Sequence, residues 1–399
     1  MPEISQRAKH MPASPIRKHK PLEDRVRESR IEVYKLEIGQ PDIPSPTQFI
    51  DAIRAFQGDV IGYRPSKGDD ELREAQSFYY KRHNADIAPD DILVTNGGSE
   101  ALLLAMATVC DPGQELFAIE PLYSNYIGFA TMLGIQLRPF TAHLEEEFSI
   151  DGLESWLEKN HDQNLKGGII NYPNNPQGKI LRQEEIDMLG KVAKEYNIFL
   201  ILDGAYREFV FDGLAGKVTD LDLLLDIPEY VIVIDTLSKH YSLTGSRIGS
   251  LASKNHHVME ATLKMAQARL SVPTLEQIGA TAIISENDAF VHESALEYQR
   301  RRDAAYEILS GVPGVHCYKP QGSIYLWVRF DGVDTEDFTR FMLEKFNHEG
   351  KTTRIAPGPG FYVTPGMGKD QARIAFVLNV NAMKEALNVL GKGLEAYRK

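Results

Sequence analysis

The fold class predicted for this chain is α/β: a doubly wound, mostly parallel sheet joined to a smaller α+β domain. Three observations predict it. Short apolar runs of strand length recur, each followed by a polar or glycine-containing turn, as in DILVTNGGSEALLLAMATV (91–109), where a helical pattern comes next. The runs GGII (167–170), IFLIL (198–202) and VIVI (231–234) show no apolar–polar alternation, which suits strands buried on both faces of a parallel sheet. Near residue 288 the pattern changes to a long charged helix, HESALEYQRRRDAAYEIL (292–309), and an alternating stretch, SIYLWVRF (323–330).

The elements follow in order. Residues 1–48 read as an arm plus part of the small domain: the first 20 are basic and proline-punctuated, with no apolar core of the kind a signal peptide needs. A strand YKLEI (34–38) then ends in Gly39-Gln40-Pro41-Asp42, a turn and boundary signal. Residues 49–287 form the large domain, whose strands alternating with helices require right-handed crossovers and hence parallel pairing. Residues 288–399 form the small C-terminal domain, closing with a strand and helix that begin at ARIAFVLN (372–379).

Composition narrows the function. With 43% apolar and 25% charged residues among 399, the chain has the balance of a globular enzyme. A net charge of -12 argues against a nucleic-acid or anionic-membrane partner, since both demand a basic face, and no apolar run is long enough to span a bilayer. The two cysteines, Cys110 and Cys317, are far apart in sequence; they suggest neither a disulfide framework nor a thiolate metal site, and fit a reducing cytoplasm.

Chemistry-bearing residues gather where strands end, which is where open α/β sheets bind ligands. In Thr95-Asn96-Gly97-Gly98-Ser99-Glu100, backbone amides and the positive end of a helix converge at glycines, a geometry for phosphate. Asp203 closes an apolar strand, so its carboxylate needs a cation, from a salt bridge or from a protonated ring nitrogen. Lys239 follows another such strand, and burial there makes an amine nucleophilic toward a carbonyl. Arg247, between Gly245 and Gly249, offers a planar fork for phosphate, and Tyr123 offers a ring for a planar ligand. Each has an ordinary structural explanation taken singly. Together they call for one ligand with a phosphate, an aromatic nitrogen and an aldehyde, and pyridoxal phosphate has all three.

With these residues in place, the chain resembles the class I/II aminotransferases among the fold type I pyridoxal-phosphate enzymes, and is most similar to bacterial aspartate aminotransferases. The likeness runs through SPIRK (14–18), IGQPD (38–42), YRPSKG (63–68), NGGSEAL (96–102), NYPNNPQG (171–178), DGAYREF (203–209), SKHYSLTGSRIG (238–249) and RIAFVLN (373–379). It implies that Lys239 carries the cofactor and serves as base, and that Asp203 pairs with the ring nitrogen. Asn175 and Tyr206 would hydrogen-bond the ring hydroxyl, and Tyr123 would stack on the ring. Gly98, Ser99, Ser238 and Arg247 would hold the phosphate, joined by Tyr63 from the neighbouring subunit of a homodimer. Arg373 would grip the substrate α-carboxylate, assisted by Asn175 and the backbone near Gly39.

The implied reaction moves an amino group between an amino acid, aspartate or a related one, and a 2-oxo acid such as 2-oxoglutarate. A specialised lyase, decarboxylase or oxidase on the same scaffold is the alternative. Gly204, Gln177, His240 and Ser246 depart from the common pattern and leave substrate and reaction type open; His240 reads as a structural histidine before a second acid/base. For the distal carboxylate of a dicarboxylic substrate, Arg269 is the first candidate, ahead of Arg17, Arg64 and Lys67. A cofactor-sensing module of a transcription regulator would need a DNA-binding appendage for which no segment remains.

Overall fold

A computed structural model describes residues 2–142, 149–217, 219–284 and 288–399. Its largest sheet has seven strands in the order Ile92–Asn96, Ile248–Ala252, Val231–Thr236, Phe199–Asp203, Leu165–Asn171, Glu115–Glu120 and Gln136–Thr141. All neighbouring pairs are parallel except those made by Ile248–Ala252, which runs antiparallel to both its neighbours. The sequence reading had not singled out this reversed strand. It follows directly on the Lys239–Arg247 turn, and at Gly249 an added Cβ would lie 2.6 Å from the Gly97 carbonyl carbon, so the strand approaches the glycine turn as closely as backbone allows.

The unalternating runs are explained by what covers them. Leu200, Leu202, Val231 and Val233 face one apolar cluster, while Ile201, Ile232 and Ile234 face another on the opposite side. Each strand therefore buries both its rows, and Val231–Thr236 is buried along its whole length.

A second, antiparallel sheet orders Ala356–Pro357, Gln371–Ala375, Tyr325–Phe330 and Val315–His316. The helices Asp288–Ser310 and Val380–Tyr397 supply Tyr298, Leu309, Leu387 and Leu394 to its core. The expected strand at YKLEI lies two to three residues earlier, at Glu32–Lys35, and pairs in parallel with Lys351–Arg354. Leu36 still donates to the Arg354 carbonyl, so the chain leaves the ladder there and frees Glu37–Gly39 to line the site.

Ahead of this strand, the arm lies against the small sheet. Pro15 sits where a Cβ on Gly360 would fall 2.2 Å away, and Ile16 packs on the cluster of Trp327, Phe361 and Tyr362. The buried Arg354 donates both to the Ile16 carbonyl and to Glu23. Among the described residues no helix is long and apolar enough to cross a membrane.

Candidate active site

Adjacent parallel strands deliver the central groups. Asn171 and Asp203 are partners in register, and the next strand ends at Thr236, just before Ser238 and Lys239. Asn171 ties the loops together: its Nδ2 donates to the Asp203 carbonyl at 2.8 Å, and its Oδ1 accepts from the backbone N–H of Asn175 at 2.6 Å.

Asp203 is 4% exposed, and its side chain accepts only from Tyr126 Oη at 2.6 Å and the Ala205 N–H at 3.2 Å. Among the described residues no cation lies within ion-pairing distance of it, and burial pushes its carboxyl above the usual range. Lys239 donates from Nζ to the Gly39 carbonyl at 2.6 Å. Burial lowers its amine; Tyr325 opposes that effect, while Arg373 and Arg247 add to it.

Arg373, 1% exposed, donates to Asn175 Oδ1 at 2.9 Å and to the Glu37 carbonyl at 2.7 Å, and its guanidinium carbon lies 4.0 Å from the Tyr325 ring centroid. Arg247 donates to the carbonyls of Thr244 at 2.9 Å and Asn96 at 3.4 Å. Neither arginine has a carboxylate partner among the described residues, so two cations stand ready for anions from outside the chain.

The glycine turn sits beneath Arg247. Gly97 has φ +77°, and a Cβ there would fall 2.3 Å from Arg247 Nη2; Gly98 and Ser99 then open the helix Gly98–Val109, whose first amides point outward. Ser238 Oγ, buried at the same place, lies 2.8 Å from Thr236 Oγ1. Tyr123 meets Tyr126 edge to face at 5.3 Å, and burial raises its phenol to about 12. Tyr206 lies 2.9 Å, hydroxyl to hydroxyl, from Tyr325, and its ring centroid is 6.0 Å from Lys239 Nζ.

The expected residues Gly39, Asn175, Tyr206, Lys239 and Arg373 are thus linked by direct contacts or by Tyr325, and Asp203 joins them through Asn171. Two others are not part of that set. Tyr63 is 82% exposed and makes none of these contacts. Arg269, expected to meet the distal carboxylate of the substrate, is engaged within the chain: its Nε donates to both carboxylate oxygens of Glu100 at 3.0 and 3.2 Å, and its Nη2 to the Val94 carbonyl at 2.8 Å. Glu100 in turn accepts from the Asn96 N–H at 2.6 Å, so this ion pair braces the glycine turn.

Sequence reasoning missed Tyr126, Tyr325 and the Glu37 carbonyl. Tyr126 was within reach, one helical turn from Tyr123. The departures from the common pattern have structural reasons. A Cβ on Gly204 would fall 1.9 Å from Arg207 Nη2; Gln177 is buried and accepts from Asn174; Ser246 donates to the Leu243 carbonyl. His240 is buried with its ring parallel to Tyr79, centroids 6.3 Å apart, and its Nδ1 has no hydrogen-bond partner among the described residues.

Among the described residues Asp203 has no cation, Arg247 and Arg373 have no carboxylate, and the Lys239 amine donates to a carbonyl; together they describe half of a complex. The sequence profile of the family described as aminotransferase class I and II matches residues 31–390. The chain belongs to this family.

Its relatives include an aspartate aminotransferase of Pyrococcus horikoshii, 28% identical over 93% of each chain. A (5-formylfuran-3-yl)methyl phosphate transaminase of Methanocaldococcus jannaschii is 31% identical over 89% of this chain and 90% of its own. A solved structure of an alanine aminotransferase from Pyrococcus furiosus superposes with a TM-score of 0.88 at 28% identity, covering 99% of this chain and 100% of that one. Aminotransferases of this class depend on pyridoxal phosphate, and the residues present fit it. The orphaned Asp203 suits a protonated ring nitrogen, the glycine turn with Arg247 suits the phosphate, and the Lys239 amine suits the aldehyde.

Proposed function

We propose that this aminotransferase acts on a dicarboxylic amino acid, aspartate or glutamate, with 2-oxoglutarate as acceptor, as a cytoplasmic homodimer. The observation that carries the reading is the buried Asp203, a carboxylate whose missing counter-charge a pyridinium nitrogen supplies. Bound there, pyridoxal phosphate provides an electron sink for negative charge developing at the substrate Cα.

The chain's own groups do the rest. Lys239 would hold the cofactor and would be placed to move the proton at Cα; a lowered pKa suits an amine for that work near neutral pH. Asp203 would keep a proton on the ring nitrogen, and Tyr206 and Asn175 would meet the ring oxygen. Gly98, Ser99, Ser238 and Arg247 would hold the phosphate, with Tyr123 placed to stack on the ring. Arg373, kept in one orientation by Asn175, Glu37 and Tyr325, takes the α-carboxylate as a two-pronged donor.

Arg17 is our choice for the distal carboxylate, in place of Arg269. Arg64 lies 3.4 Å from Asp69 and Lys67 3.2 Å from Asp90. Arg17 is exposed, has no ion pair among the described residues, and acts electrostatically on Tyr123. It sits one residue beyond Ile16, which packs on Phe361, whose ring lies 5.1 Å from the Arg373 guanidinium.

The homodimer is supported by Val60, Ile61 and Tyr63, which are 79%, 61% and 82% exposed on one short segment, an apolar surface suited to a second copy. The division into a large domain to residue 287 and a small one from 288 belongs to the same proposal, and separate apolar cores beneath the two larger sheets favour it.

The test is an absorbance titration of the cofactor-loaded protein against single amino acids without a 2-oxo acid. Aspartate or glutamate should convert the cofactor to its amine form and 2-oxoglutarate should restore it. Arg17→Ala should raise KM for aspartate about tenfold or more while leaving KM for alanine within about twofold. Product formation without the amine form would put a lyase, decarboxylase or oxidase in its place.

A further inference from the structure

Between the two larger sheets stands a phenol that the near-complete burial of its strand disguises. Tyr325 begins the strand Tyr325–Phe330 and is 2% exposed, so the pattern marks it as ordinary packing. Its surroundings differ from those of its strand neighbours. Its hydroxyl lies 2.9 Å from that of Tyr206, and the two rings meet edge to face at 5.5 Å. Its own face lies under the Arg373 guanidinium, 4.0 Å from carbon to centroid. On the remaining side is Gly39, where an added Cβ would fall 1.8 Å from the Tyr325 oxygen, and whose carbonyl receives Lys239. One residue therefore touches the partners of the amine, the ring-oxygen tyrosine and the carboxylate arginine.

We propose that Tyr325 is a positioning residue for transamination: its ring holds the Arg373 fork in plane, and its hydroxyl sets the direction in which Tyr206 points its proton. The proposal rests on reading Tyr206 and Arg373 as the ring-oxygen and α-carboxylate partners.

Two phenols at 2.9 Å share one proton between their oxygens and leave the other free to point elsewhere. Burial raises both. For Tyr325 the nearby Arg373 and Lys239 outweigh burial and bring it below the usual phenol range, while Tyr206 stays well above it. The geometry allows either hydroxyl to donate, and the positive charges of Arg373 and Lys239 beside Tyr325 favour it as the acceptor in the free site. Toward an anionic ring oxygen the order reverses: Tyr206 donates outward and Tyr325 donates to Tyr206, which polarises Tyr206 into a stronger donor.

Phenylalanine at 325 keeps the ring over Arg373 and removes only the hydroxyl; leucine removes both. Three readings on Tyr325→Phe and Tyr325→Leu separate the roles: the pH titration of the bound cofactor's visible band, kcat and KM for the amino donor, and tyrosinate absorbance of the cofactor-free protein. In Tyr325→Phe the band's midpoint should rise by about half to one pH unit, the equivalent of one ordinary hydrogen bond. Its kcat should fall about fivefold with KM within about twofold, because the ring contact survives. The cofactor-free protein should lose a tyrosine that ionises below the usual phenol range. Tyr325→Leu should in addition raise KM about tenfold through loss of the ring under Arg373. An unchanged band midpoint and an unchanged tyrosinate titration in Tyr325→Phe would overturn the proposal. Failure of the wild-type protein to take up pyridoxal phosphate would instead overturn the functional reading, and the cofactor-free titration distinguishes the two.

Discussion

Asp203 and Asp235 lie near the carboxyl ends of neighbouring strands in one sheet; both are buried, and burial raises both carboxyls. Their surroundings are opposite. Asp235 is ion-paired to Arg207, which also holds Asp220 through Nε and Nη2 at 3.0 Å each. Asp203 has a tyrosine, a backbone N–H and no cation among the described residues. A buried charge balanced within the chain is part of the scaffold. One left unbalanced at such cost is tolerated where something outside the chain completes it.

The comparison breaks most readily at Asp203. Asp203→Ala should lower kcat by about 10² to 10³-fold, as expected when one preorganised electrostatic partner is lost, with the melting temperature unchanged or raised. A near-normal kcat would mean that the open carboxylate is not the ring-nitrogen partner. On the closed side, Arg207→Ala strands two buried aspartates and should cost about 3 to 5 kcal/mol in denaturant unfolding; a loss below about 1 kcal/mol would show that Asp220 and Asp235 find other partners.

Glu37 is the intermediate case. It lies 3.2 Å from Arg354, which Glu23 already engages, and both its carboxylate oxygens lack hydrogen bonds; burial raises it to about 7. The unfolded chain gives up this proton near the ordinary glutamate value of 4.5 and the folded chain only near 7, so stability should fall as pH rises between them, by about 3 kcal/mol. Glu37→Gln should flatten that slope in a pH series of unfolding curves. A slope unchanged from the wild type would place the titration elsewhere.

Asp203, Lys239 and Arg247 were legible because each follows an apolar run or is framed by glycines, and an abrupt switch from apolar to charged at a strand end has few structural explanations. The parallel sheet was legible for the same reason. The reversed strand Ile248–Ala252 was not, since direction depends on the loop before it and leaves no mark on composition. Tyr325 was hidden because its strand, expected to alternate, is buried at every position but Arg329, so a phenol in the site looks like any packed strand residue. The ion pair of Arg269 was not legible because its partner Glu100 lies 169 positions away, beyond any spacing rule, and on the sequence an ion-paired arginine looks like a free one.

Gly204 carries a consequence for anyone redesigning this enzyme. A Cβ at Gly204 would stand 1.9 Å from a guanidinium already clamped by Asp220 and Asp235. Positions 204, 207, 220 and 235 therefore form a single structural unit. A side chain introduced at position 204 alone would dislodge that anchor, so a redesign of this turn has to move all four residues together.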